Sequence, residues 1–306
     1  MDKNISHDIS ASFLKPCRSS VRAKKLQNYF GCATLFCIFI SISFLTMSQT
    51  NHDHGQRNTV DSSFDLYLLI GQSNMAGRGV LTEKFKDEGN ANVFMLTKEN
   101  SWVPAKNPLH FDKPTIAGVG PGLSFGLTME KAKPSHKIGL IPCAVGGTSI
   151  DVWEPGAFDK ATKTHPYDDM LLRLDTALKS GVLRGILWLQ GESDSSPENV
   201  GTYLQKLEKL IHEIRTVAGN DKVPFVAGQL GRYKAQYQLI NHVLKLLPAD
   251  VPYTDVASSK GLTDKGDQTH FNSESQEKMG RRMAKKMKSI QKRIKNDEKF
   301  LISGLN

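Results

Sequence analysis

Short, uninterrupted apolar runs recur along the chain, separated by stretches in which apolar residues return at helical spacing. Apolar runs of four to eight residues are typical of strands buried on both faces. Such strands belong to parallel sheets, which helices cover on both sides. The runs predict strands at 65–70, 137–143, 185–190, 223–228 and 251–254.

The stretches between these runs predict helices. In the stretch 198–218, for example, Val200, Leu204, Leu207 and Ile211 fall on one face of a helix. Alternation of strands and helices predicts an α/β protein, with a mainly parallel central sheet between two helical layers. The predicted helices span 122–132, 167–180, 197–218, 233–247 and 273–293.

One region does not follow the alternation. Residues 78–120 contain Gly, Pro and Asn and few periodic apolar positions, which predicts a long excursion between two elements. Excursions at strand ends often shape substrate sites. Trp102 and His110 in this region, and Trp153 beyond it, have rings that can stack on a sugar or pack in the core, and the sequence leaves both open.

The first candidate for chemistry is Ser73, within Gly-Gln-Ser-Asn-Met-Ala-Gly at 71–77. It directly follows the first predicted strand, so its hydroxyl is expected at the carboxyl end of a buried strand. Ligands collect at this edge of open α/β sheets. A serine hydroxyl needs a base to become a good nucleophile.

The candidate base is His270, three residues after Asp267 in Asp-Gln-Thr-His. On a loop or a first helical turn, this spacing lets the carboxylate reach Nδ1 of the histidine, which turns Nε2 toward a serine. The alternative is a surface loop in which the acid caps the following helix. Asp-x-x-His alone does not decide between them.

Two further strand ends carry polar groups. A predicted strand runs into Gly146-Gly147, a turn that can aim backbone N–H groups at an oxyanion. Another runs into Gln190-Gly-Glu192, which offers an amide donor and a carboxylate. Each cluster alone is also consistent with an ordinary turn or a helix cap. Four such clusters in one chain favour a catalytic site.

These segments resemble conserved blocks of the SGNH (GDSL-type) hydrolases, in particular the branch that contains sialate O-acetylesterase-like domains and the family 6 carbohydrate esterases. The similarity covers roughly residues 64–288, and the blocks occur in the family's order. The resemblance implies a flavodoxin-like three-layer α/β/α sandwich. The matching blocks are 71–77, 146–150, 188–194 and 267–270.

The resemblance also implies roles for individual residues. Ser73 would be the nucleophile and His270 the base, with Asp267 ranked above Glu192 as the acid that orients the histidine. The oxyanion hole would combine the Ser73 amide, a Gly146 or Gly147 amide and the Gln190 side chain. Substrate contacts are expected from Asn74, Trp102 and Trp153.

The net charge of +9 does not indicate nucleic-acid binding, because it lies in two end segments. Residues 1–28 carry +4 and residues 278–299 carry +8, which leaves 29–277 with −3. The C-terminal basic residues share a helical pattern with a stripe of Met and Ile, which predicts a helix that packs on the domain through this stripe and exposes its basic face to solvent.

No zinc-like Cys/His spacing or phosphate-binding loop occurs, so no metal or cofactor is expected. Cys143 is expected to be a buried core residue.

The N-terminal residues predict export. A basic tail (1–28) precedes an uncharged apolar segment (29–47), a pattern typical of a signal anchor or a signal peptide. A polar linker (48–63) then leads to the catalytic domain (64–295), and a short tail (296–306) ends the chain. We expect membrane anchoring through 29–47 with the catalytic domain outside the cytoplasm, or a secreted or periplasmic protein if the segment is cleaved.

Together these observations predict a serine esterase that removes O-acetyl groups from a carbohydrate, such as acetylated xylan or an acetylated sialic acid. The residues themselves predict acyl transfer, and the acetyl preference follows from the resemblance. Two alternatives stay open. One is a lipase or thioesterase of the same fold, and the other is an inactive, membrane-tethered glycan-binding module.

Overall fold

A computed structural model describes residues 60–303 of the chain. Its centre is a seven-stranded sheet in the order β3-β2-β4-β1-β5-β6-β7, in which every neighbouring pair is parallel except β2 and β3. Helices cover both faces, which confirms the predicted three-layer α/β/α fold. The strands are β1 Phe64–Gly71, β2 Val93–Leu96, β3 Trp102–Pro104, β4 Lys137–Pro142, β5 Val182–Leu189, β6 Phe225–Gly228 and β7 Thr254–Ala257.

Four of the five predicted strands and all five predicted helices overlap their observed counterparts over most of their length, although the last helix runs ten residues further than predicted. The predicted strand 251–254 meets β7 only at Thr254. The sequence pattern missed β2 and β3, which form an antiparallel hairpin within the excursion 78–120, and three four-residue helices. Such short elements lack the length over which periodicity is visible. The helices are α1 Ser73–Ala76, α2 Glu83–Lys86, α3 Pro121–Ala132, α4 Pro166–Leu178, α5 Pro197–Val217, α6 Tyr237–Leu244, α7 Leu247–Asp250 and α8 Ser273–Ser303.

Strand β1 separates two apolar cores because its side chains alternate between the faces of the sheet. Leu66, Leu68 and Ile70 join the core under α4, α5 and α6. Tyr67 and Leu69 join the core under α3 and α8. All eight residues of β1 are buried, which explains why the strand reads as a continuous apolar run.

Helix α8 packs through the predicted Met stripe. Met279, Met283, Met287 and Ile290 are fully buried, and their opposite face carries the basic residues. The helix continues to Ser303, so the first eight residues of the predicted C-terminal tail (296–306) extend it. Cys143 is buried, as expected.

The predicted N-terminal tail (1–28), the apolar segment (29–47) and most of the linker (48–63) lie outside the described residues. Within residues 60–303, no helix has both the length and the apolar composition needed to cross a membrane.

The topology predicts where a ligand binds. The connection after β1 leads to strands on one side of it, and later connections lead to β5, β6 and β7 on the other. In open α/β sheets, ligands bind beside the carboxyl ends of the strands at such a switch point. Strand β1 ends at Gly71, so its carboxyl end lies where a ligand site is expected.

Candidate active site

Ser73 begins α1 immediately beyond the carboxyl end of β1 and is 7% exposed. The chain turns sharply here because Gly71 has φ +129° and packs directly on β5. A Cβ added to Gly71 would lie 2.3 Å from the carbonyl oxygen of Leu189, so only glycine fits. The turn also brings the Gln72 amide within 3.0 Å of that carbonyl. Ser73 is thereby held at the junction of β1 and β5.

His270 reaches Ser73 from the loop between β7 and α8. Its Nε2 lies 3.0 Å from the Ser73 Oγ, across 197 residues of sequence. The loop is held by its own acids, since the Asp264 carboxylate accepts the amides of Gly266 and Gln268. This distance is within the range that a nucleophile–base pair requires.

Asp267 orients His270 from the same loop. Its Oδ2 lies 2.7 Å from Nδ1 of His270, while its Oδ1 accepts the backbone amides of Thr269 and His270. A carboxylate held by two amides has little freedom to turn away from the imidazole. The three side chains thus form a continuous hydrogen-bonded series from Asp267 through His270 to Ser73.

The charges in this series suit general-base chemistry. Burial opposes ionisation of Asp267, but hydrogen bonds from His270 and Thr269 outweigh it and lower its pKa to about 2. Burial lowers the pKa of His270 below its usual value, although the hydrogen bond and charge of Asp267 oppose this. At neutral pH a carboxylate therefore faces a neutral imidazole, the protonation states from which a base acts.

Glu192, the rival acid, does not contact His270. Its Oε1 instead accepts a hydrogen bond from Nδ2 of Asn74 at 2.5 Å, and its Oε2 is buried without a partner. Desolvation raises the pKa of Glu192 to about 7, against the hydrogen bond from Asn74. The contacts of the two carboxylates therefore favour Asp267 as the partner of the histidine.

Two backbone donors remain open beside the nucleophile. Among the hydrogen bonds of residues 60–303, neither the Ser73 amide nor the Gly147 amide donates to a protein acceptor. The Gly146 amide is already committed, because it donates to Oδ2 of Asp112 at 2.9 Å. Gly147 has φ +94°, a conformation that favours glycine. Of the two predicted amides, only that of Gly147 is free for an oxyanion.

The expectation that the Gln190 side chain lines the oxyanion hole stays a prediction, and in this structure the side chain makes other contacts. Gln190 is fully buried, and its Nε2 already faces the oxygens of Gln72, Thr148 and Asp194. An amide nitrogen has two hydrogens, so three acceptors leave none for a ligand. Gln190 instead ties β1, the Gly-Gly turn and the turn after β5 together.

The three side chains expected to contact the substrate make other contacts in this structure, and their role in binding stays a prediction. Asn74 is fully buried, and both polar atoms of its side chain bond to protein. Trp153 is 2% exposed and packs edge-on against Trp188 in the core. Trp102 packs against Phe64, the first residue of β1, and its Nε1 donates to Ser180. Seven strand residues, about 23 Å, separate Phe64 from the end of β1 that leads to Ser73.

One ion pair beside the nucleophile was not predicted from the sequence. Arg78 and Asp112 lie 2.6 Å apart, and each side chain is 3% exposed. The Arg78 guanidinium also packs against Gly146, since a Cβ added to Gly146 would lie 2.5 Å from the guanidinium and 3.4 Å from the Ser73 Cβ. His110, two residues before Asp112, is buried as well. The available signal was an arginine directly after the 71–77 motif, because a buried arginine needs an acidic partner.

The fold and this geometry define a class: three-layer α/β proteins with a serine, a histidine and a carboxylate in hydrogen-bonding order at the switch point. Comparisons with known proteins narrow the class. The profile of the family described as "Carbohydrate esterase, sialic acid-specific acetylesterase" matches residues 63–289. A probable carbohydrate esterase of Arabidopsis thaliana is 32% identical over 244 residues, covering 72% of this chain and 88% of the relative.

Solved structures agree on the fold. The crystal structure of that Arabidopsis protein superposes with a TM-score of 0.66 at 28% identity, covering 74% of this chain and 98% of the other. A carbohydrate acetylesterase from Xanthomonas citri superposes with a TM-score of 0.59 at 19% identity, covering 74% and 56%.

The chain belongs to the family of carbohydrate esterases and sialic acid-specific acetylesterases. It is a carboxylic ester hydrolase that removes O-acetyl groups from carbohydrate. The findings do not favour the alternatives of a lipase, a thioesterase or an inactive binding module.

Proposed function

We propose that the chain hydrolyses O-acetyl esters of carbohydrates through an acyl-enzyme on Ser73. The observation that carries this proposal is the series Ser73 Oγ to His270 Nε2 at 3.0 Å and His270 Nδ1 to Asp267 at 2.7 Å. The arrangement supports a nucleophile, a general base and the acid that orients it, which is the logic of a serine hydrolase triad.

In the first half-reaction, the Ser73 Oγ attacks the acetyl carbonyl while His270 Nε2 takes the hydroxyl proton. Negative charge develops on the carbonyl oxygen, where the open amides of Ser73 and Gly147 can donate hydrogen bonds. The bond from carbon to the sugar oxygen then breaks, and His270 returns its proton to that oxygen. In the second half-reaction, water attacks the acetyl-serine by the same route and releases acetate.

The substrate that we favour is an acidic acetylated sugar, such as an acetylated sialic acid. The family description names sialic acid. A cation also adjoins the candidate oxyanion turn, since the Lys113 Nζ lies 3.9 Å from where a Cβ on Gly147 would stand. An ammonium group there suits the carboxylate of an acidic sugar. Acetylated xylan, a neutral polymer, is the alternative substrate.

The test compares acetate release from acetylated sialic acid and acetylated xylan by the purified chain, beside p-nitrophenyl acetate, butyrate and longer esters. We expect turnover on acetyl esters, a steep decline with acyl length, and loss of turnover in Ser73→Ala. A folded wild-type chain that releases no acetate from any of these substrates would contradict the proposed activity. Faster release from xylan would contradict only the choice of sugar.

Export to the outside of the cytoplasm, by an anchor or signal peptide at residues 29–47, is a separate proposal supported by the basic flank and the apolar segment. Fractionation of expressing cells and sequencing of the mature N-terminus test it. A chain that keeps Met1 and stays in the soluble cytoplasmic fraction would contradict export.

A further inference from the structure

Asn74 is the residue next to the proposed nucleophile, and its side chain is fully buried. It makes four hydrogen bonds, which satisfy both hydrogens of Nδ2 and both lone pairs of Oδ1. The Nδ2 donates to the carbonyl oxygen of Thr269 at 3.0 Å and to Glu192, and Oδ1 accepts from Phe271 N and Gln276 Nε2. A buried amide with every site occupied is fixed in one orientation.

Two of these bonds end on the residues that flank His270. Thr269 precedes the histidine and Phe271 follows it. Asn74 donates to the carbonyl oxygen of Thr269 and accepts from the backbone amide of Phe271, each at 3.0 Å. Because Asn74 adjoins Ser73 in the chain, one side chain couples the backbone of the nucleophile to the backbone on both sides of the base. The coupling spans 195 and 197 residues of sequence.

Glu192 and Gln276 decide which way the Asn74 amide points. A glutamate oxygen that carries no proton can only accept, so Oε1 of Glu192 requires the NH₂ group of Asn74 on its side. The Gln276 Nε2 donates to Asn74 from α8 at 3.3 Å, so it favours the oxygen on the opposite side. With the amide turned by 180°, Thr269 O would face an oxygen and Phe271 N–H would face a donor.

We propose that Asn74, oriented by Glu192, is a clamp that sets the distance between Ser73 Oγ and His270 Nε2. Asn74 is a positioning residue, and it acts through the backbone of the histidine loop without touching the substrate. Glu192 has the same indirect role, which explains why a carboxylate in the third motif block lies near the site without contacting His270. The proposal rests on the serine mechanism described above.

The test compares Asn74→Ala with Asn241→Ala in the full chain. Asn241 is a matched control, since it is 2% exposed and clamps Leu230 through both its amide and its carbonyl at 2.7 and 3.0 Å. Both substitutions remove buried hydrogen bonds and should lower the midpoint of urea unfolding. Only Asn74→Ala should lower kcat, by about 100-fold with KM nearly unchanged, because misplacement of reacting groups by about 1 Å costs this much.

A second comparison covers the case in which Asn74→Ala does not fold. Asn74→Asp removes both donors and sets a carboxylate against Glu192, so kcat should fall further than in Asn74→Ala. Adding Glu192→Gln to Asn74→Asp supplies an amide donor to the new carboxylate and should restore kcat at least tenfold. Glu192→Gln alone should change kcat less than tenfold, because a glutamine oxygen still accepts from Asn74.

The rate at which Ser73 is labelled by a fluorophosphonate gives a readout besides ester turnover. The Ser73 Oγ forms a bond to phosphorus, fluoride leaves, and His270 takes the proton, so the rate depends on the same distance. An unchanged kcat and labelling rate in folded Asn74→Ala, or equal kcat in Asn74→Asp with and without Glu192→Gln, would overturn the clamp. Absent turnover in the wild type, with Ser73 labelled normally, would instead contradict the esterase reaction alone.

Discussion

Two segments of the site each supply a carboxylate that the sequence offers as the acid partner of His270, and the two carboxylates lie in different environments. Asp267 lies on the loop before α8, and its side chain is 37% exposed. Glu192 lies on the turn after β5, where its Oε2 is buried without a hydrogen-bond partner. Hydrogen bonds from His270 and Thr269 outweigh burial and lower the pKa of Asp267 to about 2, whereas desolvation raises that of Glu192 to about 7. A strand-end acid is therefore assigned by what it contacts, and only Asp267 contacts the histidine.

The largest expected effect breaks this comparison directly. Asp267→Asn should lower kcat/KM by about a thousandfold to ten-thousandfold, because the histidine loses the carboxylate that sets its tautomer. Glu192→Gln should lower it by less than tenfold. Acetyl ester turnover by the two folded variants, measured side by side, checks both values. A larger loss in Glu192→Gln would show that Glu192 is the triad acid, and equal losses would contradict the ranking of Asp267 above Glu192.

A third carboxylate sharpens the contrast, because Asp112 supports the site through an ion pair. Asp112→Ala should lower the free energy of unfolding by about 3–5 kcal/mol, since it leaves the buried Arg78 guanidinium unpaired. The matched control is Asp175→Ala, which breaks an exposed i,i+4 pair with Lys179 and should cost at most about 0.5 kcal/mol.

Urea unfolding of both variants measures the difference. A change of less than 1 kcal/mol in Asp112→Ala, on the scale of an exposed pair, would show that water or another acceptor replaces Asp112 beside Arg78.

The parts of the site that could be predicted from sequence are those that local pattern determines. Ser73 follows a long apolar run, and Asp267 and His270 lie three residues apart on one loop, so their positions depend on strand ends and short spacing. The fold follows from the same regular alternation. These residues meet because the carboxyl ends of parallel strands share one edge of the sheet.

The parts that could not be predicted depend on contacts between distant segments. Asp112 lies in an excursion without periodicity, 34 residues from both Arg78 and Gly146. Gln190 has an oxyanion-hole pattern, yet its amide is consumed by three oxygens that only the folded chain brings together. The sequence around Trp153 does not show whether its ring faces a sugar or the core. The contacts of these residues depend on strand register and burial, which cannot be read from the spacing of residues in the sequence.

The smallest expected effect concerns pH, and it separates the two carboxylates because only Asp267 should move the acid limb of the pH profile. His270 must be neutral to act as a base, so the acid limb of kcat/KM follows its pKa in the free enzyme. Burial lowers that pKa, Asp267 raises it, and Lys265 and Arg78 lower it. The wild-type limb should therefore fall below the usual histidine value near pH 6.5.

Asp267→Asn removes the group that raises the pKa of His270, so the limb should move to still lower pH. Lys265→Gln removes a positive charge and should move the limb upward, by less than about one pH unit. Glu192→Gln should leave this limb in place, because Glu192 does not contact the imidazole, and should abolish any second inflection near pH 7 that Glu192 itself contributes. Profiles of kcat/KM from pH 4 to 9 for the three variants distinguish these outcomes, and an acid limb that moves with Glu192→Gln and not with Asp267→Asn would reverse the assignment of the two segments.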